Sequence, residues 1–416
     1  MGSRIVTVSE EGSLSIAKYR IMTSAPRICI LGGGFGGLYT ALRLNQLVWA
    51  NDQKPEITLI DRQTNFLFTP LLYELVTGEM QSWEIAPPFA ELLKGTDIRF
   101  IQGSVDYIDK AQKSVTLEGG TELEYDRLVL ALGCETPSES VSGATDHAIP
   151  FRSLPDAYKL DEKLRVLEAS TTEKIRIAIV GAGYSGVELA CKLADRLKSR
   201  GRIRLIQSRD TILPNAPKFN RDAALKALEQ RGIWVDLETT VSEITADSIG
   251  LIYKEQTDII PVEIVMWTVG NQVSPAINHC GLALNAQGKI TTAETLQVTD
   301  NPDIYALGDA AAILTMDGNS IPTTAQSALQ QSDFVAWNIW SSLTDRPLLA
   351  FSYTNLGEMM TLGSDNAVLS GMGIQFDGPL AYVARRLVYL YRLPTLDHQL
   401  KVGLNWLTQP LAKLLS

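Results

Sequence analysis

The stretch "RICILGGGFGGLYTALRL" (27–44) decides the fold, because an apolar run ends in five glycines within six residues and apolar residues at helical spacing follow. Gly32, Gly34 and Gly37 form the pattern G-x-G-x-x-G directly after the predicted strand. The first glycine permits a tight turn, the second admits a pyrophosphate and the third lets the helix pack on the strand. Asp61 ends the next apolar strand, where a carboxylate can bind ribose hydroxyls. We predict a dinucleotide cradle here, with a plain tight turn as the alternative.

A second copy of this plan follows in "IRIAIVGAGYSGVELACKLADRL" (175–197), with its glycines at Gly181, Gly183 and Gly186. Its next strand ends in Gln207 rather than in an acid, and Arg209 follows. An acid there would repel the 2′-phosphate of NADP, whereas a neutral residue beside an arginine accommodates it. We therefore predict NADPH over NADH as the co-substrate; the alternative is that Arg209 is a solvated surface charge.

Composition excludes several function classes. The chain has 416 residues and a net charge of -10, which argues against nucleic acid as a partner. No secretory signal is visible and no apolar run is long enough for a transmembrane helix. The four cysteines form neither a CxxC pair nor a metal set, so we expect a reducing compartment, no metal site and small buried thiols: Cys29, Cys134, Cys191 and Cys280.

A third nucleotide signal lies in "TDNPDIYALGDAA" (299–311), which resembles the second FAD fingerprint of two-dinucleotide-domain flavoproteins. That resemblance implies that Gly308 and Asp309 meet the ribitol of FAD, with FAD on the first cradle and NAD(P)H on the second. It predicts an α/β fold, similar to glutathione reductase, of two Rossmann-type domains and a C-terminal region. The predicted boundaries are an extension (1–25), an FAD domain (26–148 and 272–350), an NAD(P)H domain (149–271) and a C-terminal domain (351–416). Gly270, which ends the strand "EIVMWTVG", is predicted to bind cofactor.

Three further segments resemble the type II NAD(P)H:quinone oxidoreductases, the non-pumping NADH dehydrogenases: "FLFTPLLYELVTGEM" (66–80), "GAGYSGVELACKL" (181–193) and "IPTTAQSALQQSDFVAWNI" (321–339). By this resemblance, Ala325 and Gln326 lie at the flavin edge where a quinone binds, with Gln330 nearby. An amide can donate to a quinone carbonyl without titrating. Glu188 matches a family glutamate near flavin and quinone, where it could shuttle protons. The alternatives are a helix-surface amide for Gln326 and a carboxylate stabilised by the helix dipole for Glu188.

Ser364, Asp365 and Asn366 stand where the family often has basic residues. Together with Gln207, they make the chain resemble the cyanobacterial and plastid branch, which reduces demethylphylloquinone, a phylloquinone-type naphthoquinone. The missing disulfide pair excludes glutathione-reductase-like chemistry. A sulfide:quinone reductase using Cys134 or Cys280 is the weaker alternative.

The C-terminal 40 residues are basic in an acidic chain, with five basic residues against two acidic ones in 377–416. In "LAYVARRLVYLYRL" an apolar stripe begins at Leu380 and Val383, while Arg385, Tyr389 and Arg392 fall opposite. Such a helix can lie in a membrane interface, and the family carries its anchor at this end. The alternative is a helix pair packed on the protein's own core or on a second subunit, and a homodimer is left open.

These features predict a peripheral membrane enzyme, on the cytoplasmic face of a thylakoid or plasma membrane in a cyanobacterial-type cell. A hydride would pass from the nicotinamide to FAD, and two electrons from FAD to a quinone, without proton pumping. Two other functions remain open at this stage. One is a flavin reductase for a small iron–sulfur protein, and the other is a redox-sensing flavoprotein similar to apoptosis-inducing factor.

Overall fold

The structure is a computed structural model that describes residues 25–50, 54–137, 141–278, 281–315 and 318–415. Cys280 and nearly all of the predicted N-terminal extension lie outside these residues. The strands, in chain order, are β1 (Arg27–Leu31), β2 (Glu56–Asp61), β3 (Arg99–Gln102), β4 (Val105–Asp109), β5 (Ser114–Leu117), β6 (Glu122–Glu124), β7 (Arg127–Leu130), β8 (Cys134–Glu135), β9 (Ala148–Pro150), β10 (Ile175–Val180), β11 (Gly201–Ile206), β12 (Trp234–Asp236), β13 (Thr239–Ile244), β14 (Ser248–Tyr253), β15 (Gln256–Pro261), β16 (Ile264–Trp267), β17 (Gln272–Val273), β18 (Ile290–Thr291), β19 (Gln297–Val298), β20 (Asn301–Ala306), β21 (Ala311–Ala312), β22 (Glu358–Thr361), β23 (Ala367–Gly371) and β24 (Ile374–Gly378).

The α-helices, in the same order, are α1 (Phe35–Gln46), α2 (Ser82–Ile85), α3 (Phe89–Leu92), α4 (Ala144–His147), α5 (Leu154–Ala169), α6 (Tyr184–Leu197), α7 (Lys218–Gln230), α8 (Pro275–Asn278), α9 (Ala325–Leu343), α10 (Pro379–Arg392) and α11 (Leu396–Leu415). Short 3₁₀ turns cover Thr69–Leu75, Lys198–Arg200 and Gly308–Ala310.

The first dinucleotide unit is built on a six-stranded sheet in the order β19-β20-β7-β1-β2-β3. β1 pairs in parallel with β2 on one side and with β7 on the other. Four of the five β1 residues are buried, as expected for a central strand covered on both faces. Strand β20 arrives from far along the chain and extends this sheet beside β7, which brings Gly308 to the same edge as the first glycine turn.

The second unit is a five-stranded parallel sheet in the order β12-β11-β10-β16-β9. Three-stranded antiparallel sheets flank the two units: β4-β5-β6 beside the first and β13-β14-β15 beside the second. Ser153 caps α5 by accepting from the Asp156 N–H, and Pro155 stands in its first turn. Both predicted strand–turn–helix starts are present, so the predicted α/β class is confirmed.

The C-terminal region consists of the antiparallel sheet β22-β23-β24 followed by α10 and α11. Pro379 opens α10 directly after Gly378, which has a φ of +84°. Helix α10 packs on β23 and β24, and a second contact surface of α10 reaches α6 and the 3₁₀ turn Thr69–Leu75. The C-terminal region therefore lies against both dinucleotide units rather than on a separate linker.

Candidate active site

The first glycine turn has the geometry of a pyrophosphate cradle. Gly32 has a φ of +98°, and a Cβ there would lie 2.2 Å from the Ala131 carbonyl oxygen. A Cβ on Gly37 would lie 1.8 Å from the Gly32 carbonyl oxygen, so helix and turn touch. Gly34 has open space instead, and α1 begins there without a side-chain cap. The free N–H groups of this helix end fit a phosphate.

The two other glycines of this stretch, Gly33 and Gly36, are required by packing within the protein. A Cβ on Gly33 would lie 2.3 Å from Cζ of Phe89, and one on Gly36 would lie 3.0 Å from Cγ of Leu307. Packing against these side chains explains both glycines. Asp61 accepts from the Gly33 N–H at 2.6 Å and holds the turn, while each carboxylate oxygen keeps a lone pair for a ribose.

The second turn repeats this geometry. Gly181 has a φ of +105°, a Cβ on Gly186 would lie 1.8 Å from the Gly181 carbonyl oxygen, and Gly183 has open space before the uncapped start of α6. The buried Gln207 donates through Nε2 to the Thr211 carbonyl at 3.0 Å, and Arg209 is exposed at the surface. The residue that follows β11 is therefore an amide rather than an acid.

Gly270 and the flavin fingerprint lie where the two units meet. Gly270 has a φ of +87°, and a Cβ there would lie 2.9 Å from Cγ of Pro137. The Gly308 N–H donates to Oε1 of Gln331 at 2.7 Å, and Asp309 lies 3.5 Å from Nη2 of Arg152. Neither Arg152 nor Gln331 was singled out from the sequence, although "AQSALQQSD" contains a second adjacent amide.

The predicted quinone-site amides hold one backbone segment. Oε1 of Gln326 accepts from the Tyr353 hydroxyl at 2.9 Å and from the Leu356 N–H at 3.1 Å. Its Nε2 donates to the Gly357 carbonyl at 3.2 Å, which leaves one N–H. Gln330 exchanges two hydrogen bonds with the backbone of Thr354. Ala325 is the first residue of α9, capped by Thr324.

Glu188 is buried and bound by two elements distant in sequence. Its Oε1 accepts from the Thr361 N–H at 2.8 Å and lies 3.5 Å from Nη2 of Arg385 on α10. Glu188 is the fifth residue of α6, beyond the first turn, so the helix dipole alone does not explain it. Burial raises the pKa of Glu188 to about 7, against the opposing effects of Arg385 and the Thr361 N–H.

Glu188 is one member of a group of ionisable side chains inside the protein. Nη1 of Arg385 contacts Oε1 of Glu74 at 2.5 Å, Lys192 pairs with Glu79, and Nζ of Lys192 lies 4.0 Å from Oε1 of Glu74. We call Glu74, Glu79, Glu188, Lys192 and Arg385 the buried charge cluster. Glu188 and Lys192, four residues apart on one face of α6, were a usable sequence signal. Glu74 and Glu79 lie in the segment 66–80 that carries the resemblance, but no spacing in the sequence links them or Arg385 to α6.

Helix α10 turns its apolar stripe away from the protein. Leu380 is 71% and Leu387 59% exposed, whereas Arg385, on the side that the sequence pattern treats as polar, is fully buried. Packing of this stripe on the protein's own core is therefore wrong for the described residues. Arg385 is also unavailable as a surface charge, because its guanidinium belongs to the buried charge cluster. The stripe continues on α11, where the exposed leucines are Leu396, Leu400, Leu404 and Leu407.

Helix α11 makes several contacts with the rest of the protein, and two of them share one carboxylate. Oε1 of the buried Glu84 accepts from Nε1 of Trp406 at 2.8 Å and from Nδ2 of Asn405 at 3.1 Å. The guanidinium of Arg386 lies 4.3 Å from the Trp406 ring centroid. Within the part of the chain that the structure describes, no helix is both long enough and apolar enough to cross a membrane.

The described cysteines do not support thiol chemistry. Burial raises the pKa of the Cys29 and Cys191 thiols to about 12. Cys134 packs against the core but is only partly buried, less than predicted, and it donates to the Asp309 carbonyl at 3.5 Å. No group of His, Cys, Asp and Glu suited to a metal occurs among the described residues.

A family model for pyridine nucleotide-disulphide oxidoreductases matches residues 26–332. The chain belongs to this family. It is also 58% identical to demethylphylloquinone reductase NdbB of a Synechocystis strain, over 94% of this chain and 98% of that protein. The alternative NAD(P)H-ubiquinone oxidoreductase C1 of Arabidopsis thaliana is 44% identical, over 92% of this chain and 80% of the relative. The resemblance to type II NAD(P)H:quinone oxidoreductases and to their cyanobacterial and plastid branch is confirmed.

Two solved structures share the fold. NDH2 of Plasmodium falciparum, determined with NADH, superposes with a TM-score of 0.82 at 18% identity, covering 92% of this chain and 98% of that one. The sulfide:quinone oxidoreductase of Aquifex aeolicus superposes with a TM-score of 0.76 at 22% identity, over 88% and 90% of the two chains. At these identities the likeness concerns the fold alone.

Proposed function

We propose that this chain is an FAD-dependent NAD(P)H:quinone oxidoreductase that works at a membrane surface. The observation that carries the proposal is the double role of α10. One side of this helix places Arg385 against Glu188 on the helix of the second cradle, and the other side exposes an apolar stripe. A lipid-borne acceptor and the redox site would thus meet at one helix. Both relatives are named as quinone oxidoreductases or reductases, which supports the proposal.

Each cradle would bind one dinucleotide. Gly32, Gly34 and Gly37 would bind the pyrophosphate of FAD, with Asp61 on its ribose and Gly308 and Asp309 on its ribitol. When bound, FAD supplies hydride acceptance from the nicotinamide and two-electron transfer to the quinone. Gly181, Gly183, Gly186 and Gly270 would hold the nicotinamide dinucleotide. These assignments, and the domain boundaries predicted from the sequence, are part of the proposal.

Around the acceptor, the protein would orient a carbonyl and deliver a proton. Gln326 keeps one N–H after three hydrogen bonds, and that N–H can donate to a quinone oxygen. Gln330 and Ala325 would shape the same edge. Glu188, with a pKa raised to about 7, holds a proton near neutral pH and can give it to the reduced quinone.

The co-substrate is proposed to be NADPH and the acceptor a naphthoquinone, without proton pumping. The neutral Gln207 and the exposed Arg209 support the first choice, because a 2′-phosphate meets no carboxylate at the end of β11. The name of the Synechocystis relative supports the second.

Anaerobic stopped-flow measurements test the activity. The holoenzyme is reduced with NADPH or NADH and then mixed with menadione, a soluble naphthoquinone; we expect faster reduction by NADPH and full reoxidation. Gln207→Glu should shift the ratio of kcat/KM values toward NADH by about tenfold, since a charge is added where the 2′-phosphate binds. Gln230→Glu, on the exposed side of α7, is the matched control. Flavin that stays reduced under excess menadione would favour the redox sensor.

Membrane binding is tested separately with the exposed stripe. Leu387→Glu combined with Leu404→Glu should reduce co-sedimentation with anionic liposomes about tenfold or more, because charged side chains oppose burial in the interface. Leu225→Glu, an exposed leucine on α7, is the control. Unchanged co-sedimentation would contradict the surface assignment and favour the soluble iron–sulfur partner. Deleting 377–416 is a poorer test, because it also removes Arg385 from the buried charge cluster.

A further inference from the structure

Reduction of a quinone to a hydroquinone adds two electrons and two protons. The hydride of NAD(P)H brings both electrons and one proton, so the second proton must come from water. An acceptor that enters from lipid reaches a site shielded from bulk water. The protein therefore needs a path for one proton from its aqueous surface, and this requirement rests on the proposed function.

The buried charge cluster has solvent contact only at its two ends. Glu74, Lys192 and Arg385 have no exposed side-chain surface, whereas Glu79 is 15% and Glu188 9% exposed. By the proposed function, Glu188 stands at the end of the cluster that faces the quinone. Glu79 lies at the opposite end, next to a surface pocket of about 380 Å³ that Thr77 lines. The Thr77 hydroxyl bonds to Oε2 of Glu79, so the pocket reaches the cluster through one hydroxyl.

Each neighbouring pair in the cluster shares a contact. Lys192 bonds to Oε2 of Glu79, and its Nζ lies 4.0 Å from Glu74, within reach of a small rotation. Glu74 and Glu188 both contact the guanidinium of Arg385, at 2.5 and 3.5 Å. Oε2 of Glu74 is buried with no hydrogen-bond partner, which suits a water molecule or a proton on that oxygen.

The charges of the cluster also favour a mobile proton. Three carboxyl groups face two cationic groups, Lys192 and Arg385, so full ionisation would leave an uncompensated negative charge in the interior. One proton shared among the three carboxyl groups would balance this charge. Besides Lys192, Glu79 faces Tyr382 of α10, whose hydroxyl donates to Oε1 at 2.5 Å and accepts from Arg386. These donors keep Glu79 fixed at the mouth of the path.

We propose that Glu79 takes up the proton for quinone reduction at the pocket beside Thr77, and that Lys192 and Glu74 relay it to Glu188. In this relay, Glu79 gains a proton from water, Lys192 gives one to Glu74 and regains one from Glu79, and Glu74 passes its proton to Glu188. A side-chain rotation or one water molecule bridges the gap between the carboxyl groups of Glu74 and Glu188. Arg385 stays charged throughout and holds both carboxyl groups.

The relay differs from a purely structural set of ion pairs in what it predicts. A purely structural cluster would need no solvent contact at the end remote from the redox site. Loss of Glu79 would then lower stability, but it would not selectively slow flavin reoxidation. A relay makes proton uptake rate-limiting when Glu79 is lost. The two interpretations therefore predict different rates of flavin reoxidation in Glu79→Gln.

The test uses the holoenzyme with Glu79→Gln and the milder Thr77→Val. Enzyme reduced anaerobically with NADPH is mixed with menadione, and flavin absorbance and a pH indicator are followed together. At alkaline pH, Glu79→Gln should slow reoxidation and proton uptake by about tenfold or more, while reduction by NADPH stays unchanged. Thr77→Val should act in the same direction to a smaller extent. Formic acid, small enough for the pocket, should restore the rate of Glu79→Gln.

Asp161→Asn is the matched control, because Asp161 lines the same pocket but pairs with Arg196 outside the cluster. It should reoxidise like the unchanged enzyme. Wild-type reoxidation and proton uptake in Glu79→Gln would overturn the relay, and so would equal slowing of both half-reactions. Failure of the unchanged enzyme to react with menadione at all would instead count against the proposed function.

Discussion

The two glycine cradles have the same backbone and different chemistry. Helices α1 and α6 both start at an uncapped glycine with open space, Gly34 and Gly183. Five residues after that glycine, however, α1 carries Tyr39 and α6 carries Glu188. Phosphate binding needs only the backbone N–H groups and is served equally by both helices. The side chain one turn further on is free to differ, and that is where the two units take different roles.

Both of these side chains reach α10. The Tyr39 hydroxyl donates to the Arg392 carbonyl at 2.5 Å, and Glu188 lies 3.5 Å from Nη2 of Arg385. Tyr39 therefore binds α10 through a neutral hydrogen bond, and Glu188 binds it through the buried charge cluster, in which Arg385 also pairs with Glu74 of the first unit. A neutral bond can only position the helix, whereas the charged one also binds a proton. The following substitutions act on one side of this comparison at a time.

The largest effect is expected from Arg385→Met. The exchange keeps the apolar stem and removes the only cation that contacts both Glu74 and Glu188 among the described residues. Breaking a buried pair by removing one partner costs about 3–5 kcal/mol. We expect a decrease of this size in the free energy of unfolding, measured by denaturant titration with saturating FAD.

Arg386→Met is the comparison variant: it removes the neighbouring cation, with its contacts to Tyr382 and Trp406, but no contact with Glu74 or Glu188, so its loss of stability should be smaller. The double variant Arg385→Met, Glu74→Gln should recover part of the loss, because it removes one of the uncompensated carboxylates. A double variant less stable than Arg385→Met alone would show that the packing of Arg385, rather than its charge, holds α10.

Glu188→Gln should have the next largest effect, on kinetics. With a pKa near 7, above the ordinary value of 4.5, Glu188 is protonated below about pH 7 and loses its proton as the pH rises. Flavin reoxidation by menadione should therefore slow as the pH rises through about 7. Glu188→Gln should slow reoxidation about 100-fold and remove the inflection, without changing reduction by NADPH. Stopped-flow rates across this range check it.

The raised pKa of Glu188 also makes the stability of the fold depend on pH. The folded protein binds the Glu188 proton more tightly than the unfolded chain does, so this group makes the fold less stable as the pH rises from about 4.5 to about 7. Glu188→Gln should be less pH-sensitive over that interval. An inflection in reoxidation that persists in Glu188→Gln would assign the proton to another group.

The cradles could be predicted from the sequence because their physics is local. Gly32 and Gly181 need a positive φ, Gly37 and Gly186 need close packing, and these demands leave a fixed spacing in the chain. The partners of Glu188 could not be predicted in this way. Thr361 lies 173 and Arg385 197 residues away, and nothing in the spacing links them.

The faces of α10 illustrate a second limit. A hydropathy pattern finds an apolar stripe and a polar stripe, but it does not say which one meets the protein. In a helix that packs on a soluble core, the apolar stripe turns inward. Here Leu387 is exposed and Arg385 is buried. The sequence could signal this only through the carboxylates of Glu74 and Glu188, which stand in other segments and compensate the buried guanidinium.

The smallest effect is expected from Tyr39→Phe, which removes the neutral hydrogen bond between α1 and α10. Loss of the hydrogen bond to the Arg392 carbonyl should cost about 1 kcal/mol in the free energy of unfolding, the usual net value for a neutral pair. Tyr158→Phe, which removes an exposed phenol on α5, is the control. Reoxidation and its dependence on pH should stay unchanged, because Tyr39 binds no proton of the reaction. A pH profile altered by Tyr39→Phe would mean that α10 couples the two cradles, so that positioning and proton binding cannot be separated along this helix.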